Sequence, residues 1–254
     1  INPLYPALYS NRGYAFYMNE QYKEAIKDFT LGISMGNAQA EMLFNRGLAR
    51  HKLKDYKGAI EDFGNTLKTD SLFPGAFNAM GNTYLDSGND SLAMVCYTKA
   101  IRLEKNNAEP YYNRANILAK KGKYSEAIND YNRAIEITGF QSDYFVNRAS
   151  TWYYLNEFDK AMEDFNTVIA RNPTHTNARL NRGTLCLRMG KYQMAFDDFS
   201  EIIGREPGNA EAWLKRGMTI LNSHKPSDAC KDFEQADKLG HPLAKTFLVS
   251  YCKN

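Results

Sequence analysis

Residues 122–136 have the sequence GKYSEAINDYNRAIE, and the same pattern returns as NEFDKAMEDFNTVIA over residues 156–170 and as GKYQMAFDDFSEIIG over residues 190–204. The three copies are 34 residues apart, and each keeps an alanine, an aspartate and an aromatic ring at the same places. The alanine and the ring are four residues apart, which puts them on one face of a helix. The stretch therefore predicts an amphipathic helix whose packing repeats at a fixed period.

The period extends outward over nearly the whole chain. The recurring alanines are Ala25, Ala59, Ala93, Ala127, Ala161, Ala195 and Ala229, and a small residue precedes each of them at Gly13, Gly47, Gly81, Ala115, Ala149, Gly183 and Gly217. Seven copies without an insertion indicate a repeat architecture. The repeats span residues 6–39, 40–73, 74–107, 108–141, 142–175, 176–209 and 210–243.

Each repeat predicts two helices that pack closely. Apolar or small residues fall on the fourth, eighth and eleventh places of the first helix, and Gly88, Gly122, Asn156 and Gly190 stand where a left-handed residue ends such a helix. We expect the small residue of the first helix to face the alanine of the second, with the ring filling the space beside them. An arginine and an aspartate sixteen residues apart recur in six repeats, and repeat 3 replaces both with Met80 and Cys96. Their joint loss predicts ion pairs between the two helices of one repeat.

These residues resemble the tetratricopeptide repeat family, whose unit is a 34-residue helix–turn–helix. The resemblance implies an all-α fold, a right-handed α-solenoid of seven helix-turn-helix repeats in a single domain over residues 1–254. The amphipathic residues 242–252 lack a partner repeat, and we expect them to form a capping helix over the last apolar face. In this family the first helices line the inside of the superhelix and bind protein partners.

Composition argues against several other functions. The chain has 254 residues, 43% of them apolar, with a net charge of +3 from interspersed charges, so we expect no nucleic acid partner. We find no apolar run long enough to span a membrane. The four histidines show no metal-ligand spacing, Cys-x-x-Cys is absent and no phosphate-binding loop is present. We therefore predict a non-enzyme without metal or cofactor, and we expect His51 to be a plain surface residue.

The cysteines bear on the compartment. We expect Cys96 and Cys186 to be buried thiols. Cys230 and Cys252 lie about equally far from the turn at Gly240, so they could meet as a disulfide; the alternative is two reduced thiols in a cytosolic protein. The C-terminal end resembles exported bacterial tetratricopeptide repeat proteins, which gives a slight preference for a periplasmic or exported protein over a cytoplasmic one.

The ligand surface is predicted from helical geometry. The second, sixth and ninth places of the first helix point away from the apolar stripe. The sixth place is asparagine in five repeats, at Asn11, Asn45, Asn113, Asn147 and Asn181, and the ninth adds Asn82, Asn116 and Tyr14; the neighbouring rings are Tyr17, Phe44, Tyr112, Tyr153 and Tyr154. An amide offers a donor and an acceptor, which suits the main chain of an extended ligand. A similar ladder lines the superhelix of O-GlcNAc transferase.

From this surface we predict that the chain is a scaffold, which binds an extended peptide or protein segment through the asparagine ladder and the rings. One alternative for the ladder is that each asparagine only bridges to a neighbouring repeat. The alternative function is an RNA-binding helical repeat, against which the period and the missing basic stripe both argue.

Overall fold

The computed structural model describes residues 6–35, 39–223 and 226–252, and in these ranges it contains helices and no strand. The all-α prediction is confirmed. The helices are α1 Pro6–Met18, α2 Tyr22–Ser34, α3 Ala40–Lys52, α4 Tyr56–Thr69, α5 Ala76–Asp86, α6 Asp90–Leu103, α7 Ala108–Lys120, α8 Tyr124–Thr138, α9 Ser142–Tyr154, α10 Phe158–Arg171, α11 Thr176–Arg188, α12 Tyr192–Arg205, α13 Ala210–Asn222, α14 Pro226–Lys238 and α15 Ala244–Tyr251.

The helices follow the predicted repeats, with one pair in each. The chain divides into two compact units, Ile1–Gly139 with α1 to α8 and Phe140–Asn254 with α9 to α15. In each unit the two helices of a pair pack on each other, and the second helix of a pair also packs on the first helix of the next. Helix α15 packs on α14 at the place predicted for the capping helix. The single domain predicted over all seven repeats remains a prediction.

In five repeats the small residue of the first helix is a glycine that makes room for an aromatic ring. A Cβ added at Gly183 would lie 2.7 Å from Cε1 of Phe199, and one at Gly217 would lie 2.6 Å from Cε1 of Phe233. The sequence predicted that the small residue would face the alanine of the second helix, but the ring is the nearest neighbour. Phe199 and Phe233 are completely buried. Glycine is therefore required here by steric contact with the ring, since a side chain would have to displace it.

The turns between paired helices use the left-handed conformation, as predicted. Gly122 has φ of 75° and Gly190 has φ of 71°, and Asn156 takes the same region at 59°. Lys54 also has a positive φ, of 63°, in a repeat that lacks glycine at this place. Such a conformation costs a non-glycine residue about 1 kcal/mol, which the surrounding helix contacts offset.

The predicted ion pairs form within the repeats, and they are bidentate. Arg114 donates from Nε to Oδ2 of Asp130 at 2.7 Å and from Nη2 to Oδ1 at 2.8 Å. The same fork joins Arg12 to Asp28, Arg46 to Asp62, Arg148 to Asp164, Arg182 to Asp198 and Arg216 to Asp232. These aspartates are buried. Their carboxylates would be costly to bury without the guanidinium.

The arginine also reaches the repeat before its own, which the sequence analysis did not foresee. The Nη1 of Arg114 donates to Oγ1 of Thr98 at 3.1 Å, and Thr98 lies sixteen residues earlier on α6. The corresponding bonds join Arg46 to Thr30, Arg182 to Asn166 and Arg216 to Ser200. In repeat 3, Met80 replaces the arginine, and Gly64 occupies the place of the acceptor. All three polar partners are therefore lost together.

The four cysteines form two groups. Cys96 and Cys186 are free and buried, and burial raises the pKa of each thiol to about 11. The structure joins Cys230 on α14 to Cys252, the residue after α15, by a disulfide with a Cα–Cα distance of 5.7 Å. This bond ties the capping helix to the last repeat. Phe247 of α15 packs on Phe233 beneath it, with 5.0 Å between the ring centroids.

Candidate functional site

The asparagines lie along the first helices of both units. We call the surface formed by the second, sixth and ninth places of these helices the first-helix face. Asn11 is exposed and Asn113, Asn147 and Asn181 are half-buried, whereas Asn45 is only 9% exposed. The outward orientation of Asn45 remains a prediction, and its low exposure leaves little of this side chain accessible to a ligand.

Asn82 is the centre of a hydrogen-bond network in unit 1. Its Oδ1 accepts from the hydroxyl of Tyr97 at 2.8 Å and from Nδ2 of Asn113 at 3.0 Å, and its Nδ2 donates to Glu109 at 3.1 Å. Burial raises the pKa of Tyr97, so its hydroxyl stays protonated and donates. The bond from Asn113 crosses from repeat 4 to repeat 3. Asn116 likewise accepts from the hydroxyl of Tyr131 at 2.6 Å. These amides hold the helices in register, so part of the ladder is structural.

Other amides of the ladder are open. Among the residues that the structure describes, the side chains of the exposed Asn11 and the half-buried Asn181 make no hydrogen bond to the protein, and neither does that of the buried Asn45. Asn181 is half-buried and lines a cavity of about 150 Å³ in unit 2 with Ser150, Tyr153, Tyr154 and Thr184 among its neighbours. An amide held in a cleft without a partner retains its full capacity to donate and accept.

Aromatic rings border the first-helix face of unit 1. Tyr17 packs edge-on against Tyr22 at 5.6 Å, and burial raises the pKa of Tyr17. Phe44 lies between Phe63 and Phe73, with its ring 5.6 and 5.0 Å from theirs. These contacts fix both rings in place. Further along, Tyr112 packs on the ring of Tyr131 at 6.0 Å, while Tyr14 of α1 is 50% exposed.

In unit 2, the rings of Tyr153 and Tyr154 meet edge-to-face at 5.7 Å. The guanidinium of Arg188 lies 5.0 Å from the centre of the Tyr153 ring and donates to its hydroxyl at 3.2 Å. Arg188 also donates to Asn156 at 3.0 Å, so Tyr153 belongs to a fixed cluster. Tyr154 is 62% exposed and is the more exposed ring of the pair.

A cavity of about 380 Å³ lies on the first-helix face of unit 1. Its lining comes from four first helices and includes Tyr17, Phe44, His51, Asn78, Asn82 and Glu109. Unit 2 has a cavity of about 410 Å³ lined by α12, α13 and α14. Two of its polar residues, Arg216 and Asp232, are paired with each other.

Sequence reasoning missed the role of His51. The structure places this residue half-buried, with Nδ1 2.9 Å from Oγ1 of Thr83 and Nε2 3.2 Å from Oδ2 of Asp86. The expected plain surface histidine is thus a link between α3 and α5. Burial lowers its pKa, and the carboxylate of Asp86 opposes that shift. A signal was present, because Thr83 and Asp86 lie 32 and 35 residues after His51, close to one period.

The described ranges contain neither a metal-binding cluster nor a membrane-spanning helix. Residues 6–35, 39–223 and 226–252 hold no group of three His, Cys, Asp or Glu side chains placed to bind a metal. The same ranges contain no helix with the length and apolar character that a membrane crossing needs.

The fold and the first-helix face define a helical-repeat protein. Tetratricopeptide repeat profiles match residues 11–76 and 147–210, 81–122 and 108–137, which together cover most of the sequence. The chain therefore belongs to the tetratricopeptide repeat family. Its repeats make it a protein-interaction scaffold, and this family and fold are typical of non-catalytic proteins.

Solved structures share the fold at low sequence identity. The C-terminal part of a tetratricopeptide repeat protein from Cytophaga hutchinsonii is 19% identical, with 94% of this chain and 98% of that chain covered and a TM-score of 0.77. A tetratricopeptide repeat protein from Parabacteroides merdae is 17% identical over 98% of this chain and 99% of its own, with a TM-score of 0.69. YrrB, described as a tetratricopeptide repeat protein with an unusual peptide-binding site, is 21% identical over 74% of this chain and 97% of its own, with a TM-score of 0.64. No curated protein sequence matches this chain.

Proposed function

We propose that this scaffold binds an extended peptide or protein segment along the first-helix faces, through open asparagine amides and neighbouring rings. The observation that carries the proposal is the division of the ladder into closed and open amides. Asn82 and Asn116 serve the fold, whereas Asn181 stands unpartnered in a cleft beside an exposed tyrosine. Asparagine has a low helix propensity, so an asparagine that makes no hydrogen bond within the protein does not stabilise the fold.

Hydrogen-bonding chemistry supports an extended ligand. A peptide group presents one N–H and one C=O, and a single carboxamide can bind both. The spacing of one first helix per repeat places the ladder asparagines in a row within each unit. Rings such as Tyr154 add apolar contact area at a low entropic cost, which is why tyrosine is frequent in binding surfaces. YrrB, with its peptide-binding site, supports the idea that this fold can hold a peptide.

The test uses two substitutions of the same residue type. Asn181→Ala removes an open amide, and Asn82→Ala removes a closed one that makes three hydrogen bonds. We expect Asn181→Ala to weaken binding of the partner segment by roughly 1 kcal/mol, about fivefold, with the denaturation midpoint unchanged. Asn82→Ala should lower the stability by about 1–3 kcal/mol.

Fluorescence anisotropy with a labelled segment of the partner purified from the source cell measures the affinity, and urea denaturation measures the stability. If Asn181→Ala instead lowers the midpoint and retains full affinity, the ladder is structural throughout and the proposal fails.

A further inference from the structure

Asn78 is a buried polar residue with an unmet hydrogen-bonding requirement. Its side chain is 6% exposed, and its Oδ1 has no hydrogen-bond partner among the described residues. Among side-chain oxygen and nitrogen atoms of the described ranges that have essentially no exposed surface, it is the one without a partner. A buried amide without partners destabilises a folded protein, and native structures rarely contain one without a purpose. A ligand that supplies the missing bond is one such purpose.

The cavity beside Asn78 has the walls of a binding site. Asn78 lines the space of about 380 Å³ in unit 1, together with the rings of Tyr17 and Phe44. Phe44 is held in place by Phe63 and Phe73, so this wall is rigid. Repeat 3 carries Ala79 at the ladder place, and its asparagine stands one residue earlier. The shift takes the amide off the row of the ladder, to a residue that lines the cavity.

Charge determines which ligand suits the cavity. Lys52 and Glu109 both line it, and their opposite charges offset each other at the rim. Glu109 already accepts a bond from Asn82, and the nitrogens of His51 lie against Thr83 and Asp86. A cationic side chain would meet the charge of Lys52 and an anionic one the charge of Glu109, whereas the unpaired Oδ1 of Asn78 requires an N–H donor. A carboxamide is neutral and supplies such a donor from its amide nitrogen.

We propose that this cavity is a subsite for the carboxamide side chain of a glutamine or asparagine in the bound segment. The inference rests on the proposed function, because the segment must lie along the first-helix face of unit 1 to place a side chain here. It adds sequence selectivity to a ladder that recognises only main chain.

The test uses three peptides of five residues, in which the third residue is glutamine, glutamate or leucine and the other four are alanine. An N-acetyl and a C-methylamide cap remove terminal charges and any terminal primary amide. Chemical shift titration by NMR measures each dissociation constant. The glutamine peptide should bind at least about fivefold tighter than the glutamate and leucine peptides, since the isosteric acid leaves the amide partly unpaired. Equal or tighter binding of the glutamate peptide would overturn the proposal.

Asn78→Leu provides the matched protein variant. Leucine branches at Cγ as asparagine does, and although it is larger it can extend into the adjoining cavity. It removes the unpaired polar group, so the variant should melt at a higher temperature than the wild type and lose the preference for glutamine. Asn78→Ala tests the preference independently if leucine does not fit. A lower melting temperature of Asn78→Leu together with a retained glutamine preference would show that Asn78 is satisfied within the protein, and would overturn the inference.

The two proposals fail differently. If the subsite alone is wrong, the three peptides bind equally well and still shift resonances of the first helices. If the proposed function is wrong, none of the peptides perturbs the first-helix face, and the glutamine side chain has no effect.

Discussion

The ion pair between Arg114 and Asp130 in repeat 4 can be tested by introducing the residues that repeat 3 has at the same two places. Arg114 makes two bonds to Asp130 and one to Thr98, and the hydroxyl of Thr98 also donates to the carbonyl of Met94 at 2.8 Å. Arg114→Met leaves a carboxylate that is 7% exposed without its counter-ion. Breaking a buried ion pair by removing one partner costs about 3–5 kcal/mol. We expect the lower end of this range, because the Arg114 side chain is 22% exposed and water reaches it.

The double substitution Arg114→Met with Asp130→Cys reproduces the pair Met80 and Cys96 of repeat 3. It removes both charges, and Thr98 keeps its bond to Met94. An apolar replacement of a whole buried pair is often neutral, so the double variant should lose less than about 1.5 kcal/mol. Guanidinium denaturation of the wild type, both single variants and the double variant gives the four free energies of unfolding of a double-mutant cycle. If the loss in the double variant equals the sum of the two single losses, the residues do not act as a pair and the reasoning is refuted.

Four further outcomes are expected. Reduction of the Cys230–Cys252 bond should lower the stability by about 3 kcal/mol, measured by denaturation with and without reductant, because the bond closes a loop of 22 residues. In native, never-reduced protein none of the four cysteines should be alkylated at neutral pH, and modification of both Cys230 and Cys252 would show by mass spectrometry that the bond is absent. Because the pKa of His51 is lowered in the folded state, the unfolded state takes up a proton first as the pH falls. The contribution of His51 to stability is therefore present above pH ~6.5 and is lost as the pH falls through the lower folded pKa. His51→Gln should flatten this part of the plot of stability against pH, and an unchanged plot would contradict the assignment. Filter binding of polyanionic RNA at two salt concentrations should show no specific retention, and retention that survives high salt would favour the RNA-binding alternative.

Much of the fold could be predicted because the residues that pack the two helices together recur in every repeat. The small residue, the alanine and the ring recur with one period, and steric contact leaves few other arrangements for Gly183 beside Phe199. The ion pairs were also predictable, since Arg and Asp disappear together in repeat 3. The third partner could have been found in the same way, because Gly64 stands where Thr98 stands one repeat later.

The site was less predictable, since the partner of an amide depends on the neighbouring repeat. Asn82 and Asn181 both lie on the first-helix face, yet one makes three bonds and the other makes none. The two stand at different places of the helix, Asn82 at the ninth and Asn181 at the sixth, and the hydroxyl of Tyr97 on the second helix reaches Asn82. The unmet requirement of Asn78 is likewise visible only when burial and hydrogen bonds are known together.

Oxidative footprinting of the complex tests the binding surface most directly. Hydroxyl radicals modify exposed side chains, and the chain offers matched reporters: Tyr14 and Tyr154 on first helices are 50% and 62% exposed, while Val95 and Met194 on second helices are 50% and 43% exposed. With the partner segment from the source cell bound, mass spectrometry should show protection of Tyr14, Tyr154 or both, and unchanged oxidation of Val95 and Met194. Protection of Val95 or Met194 with unchanged tyrosines would place the ligand on the second helices and contradict the account.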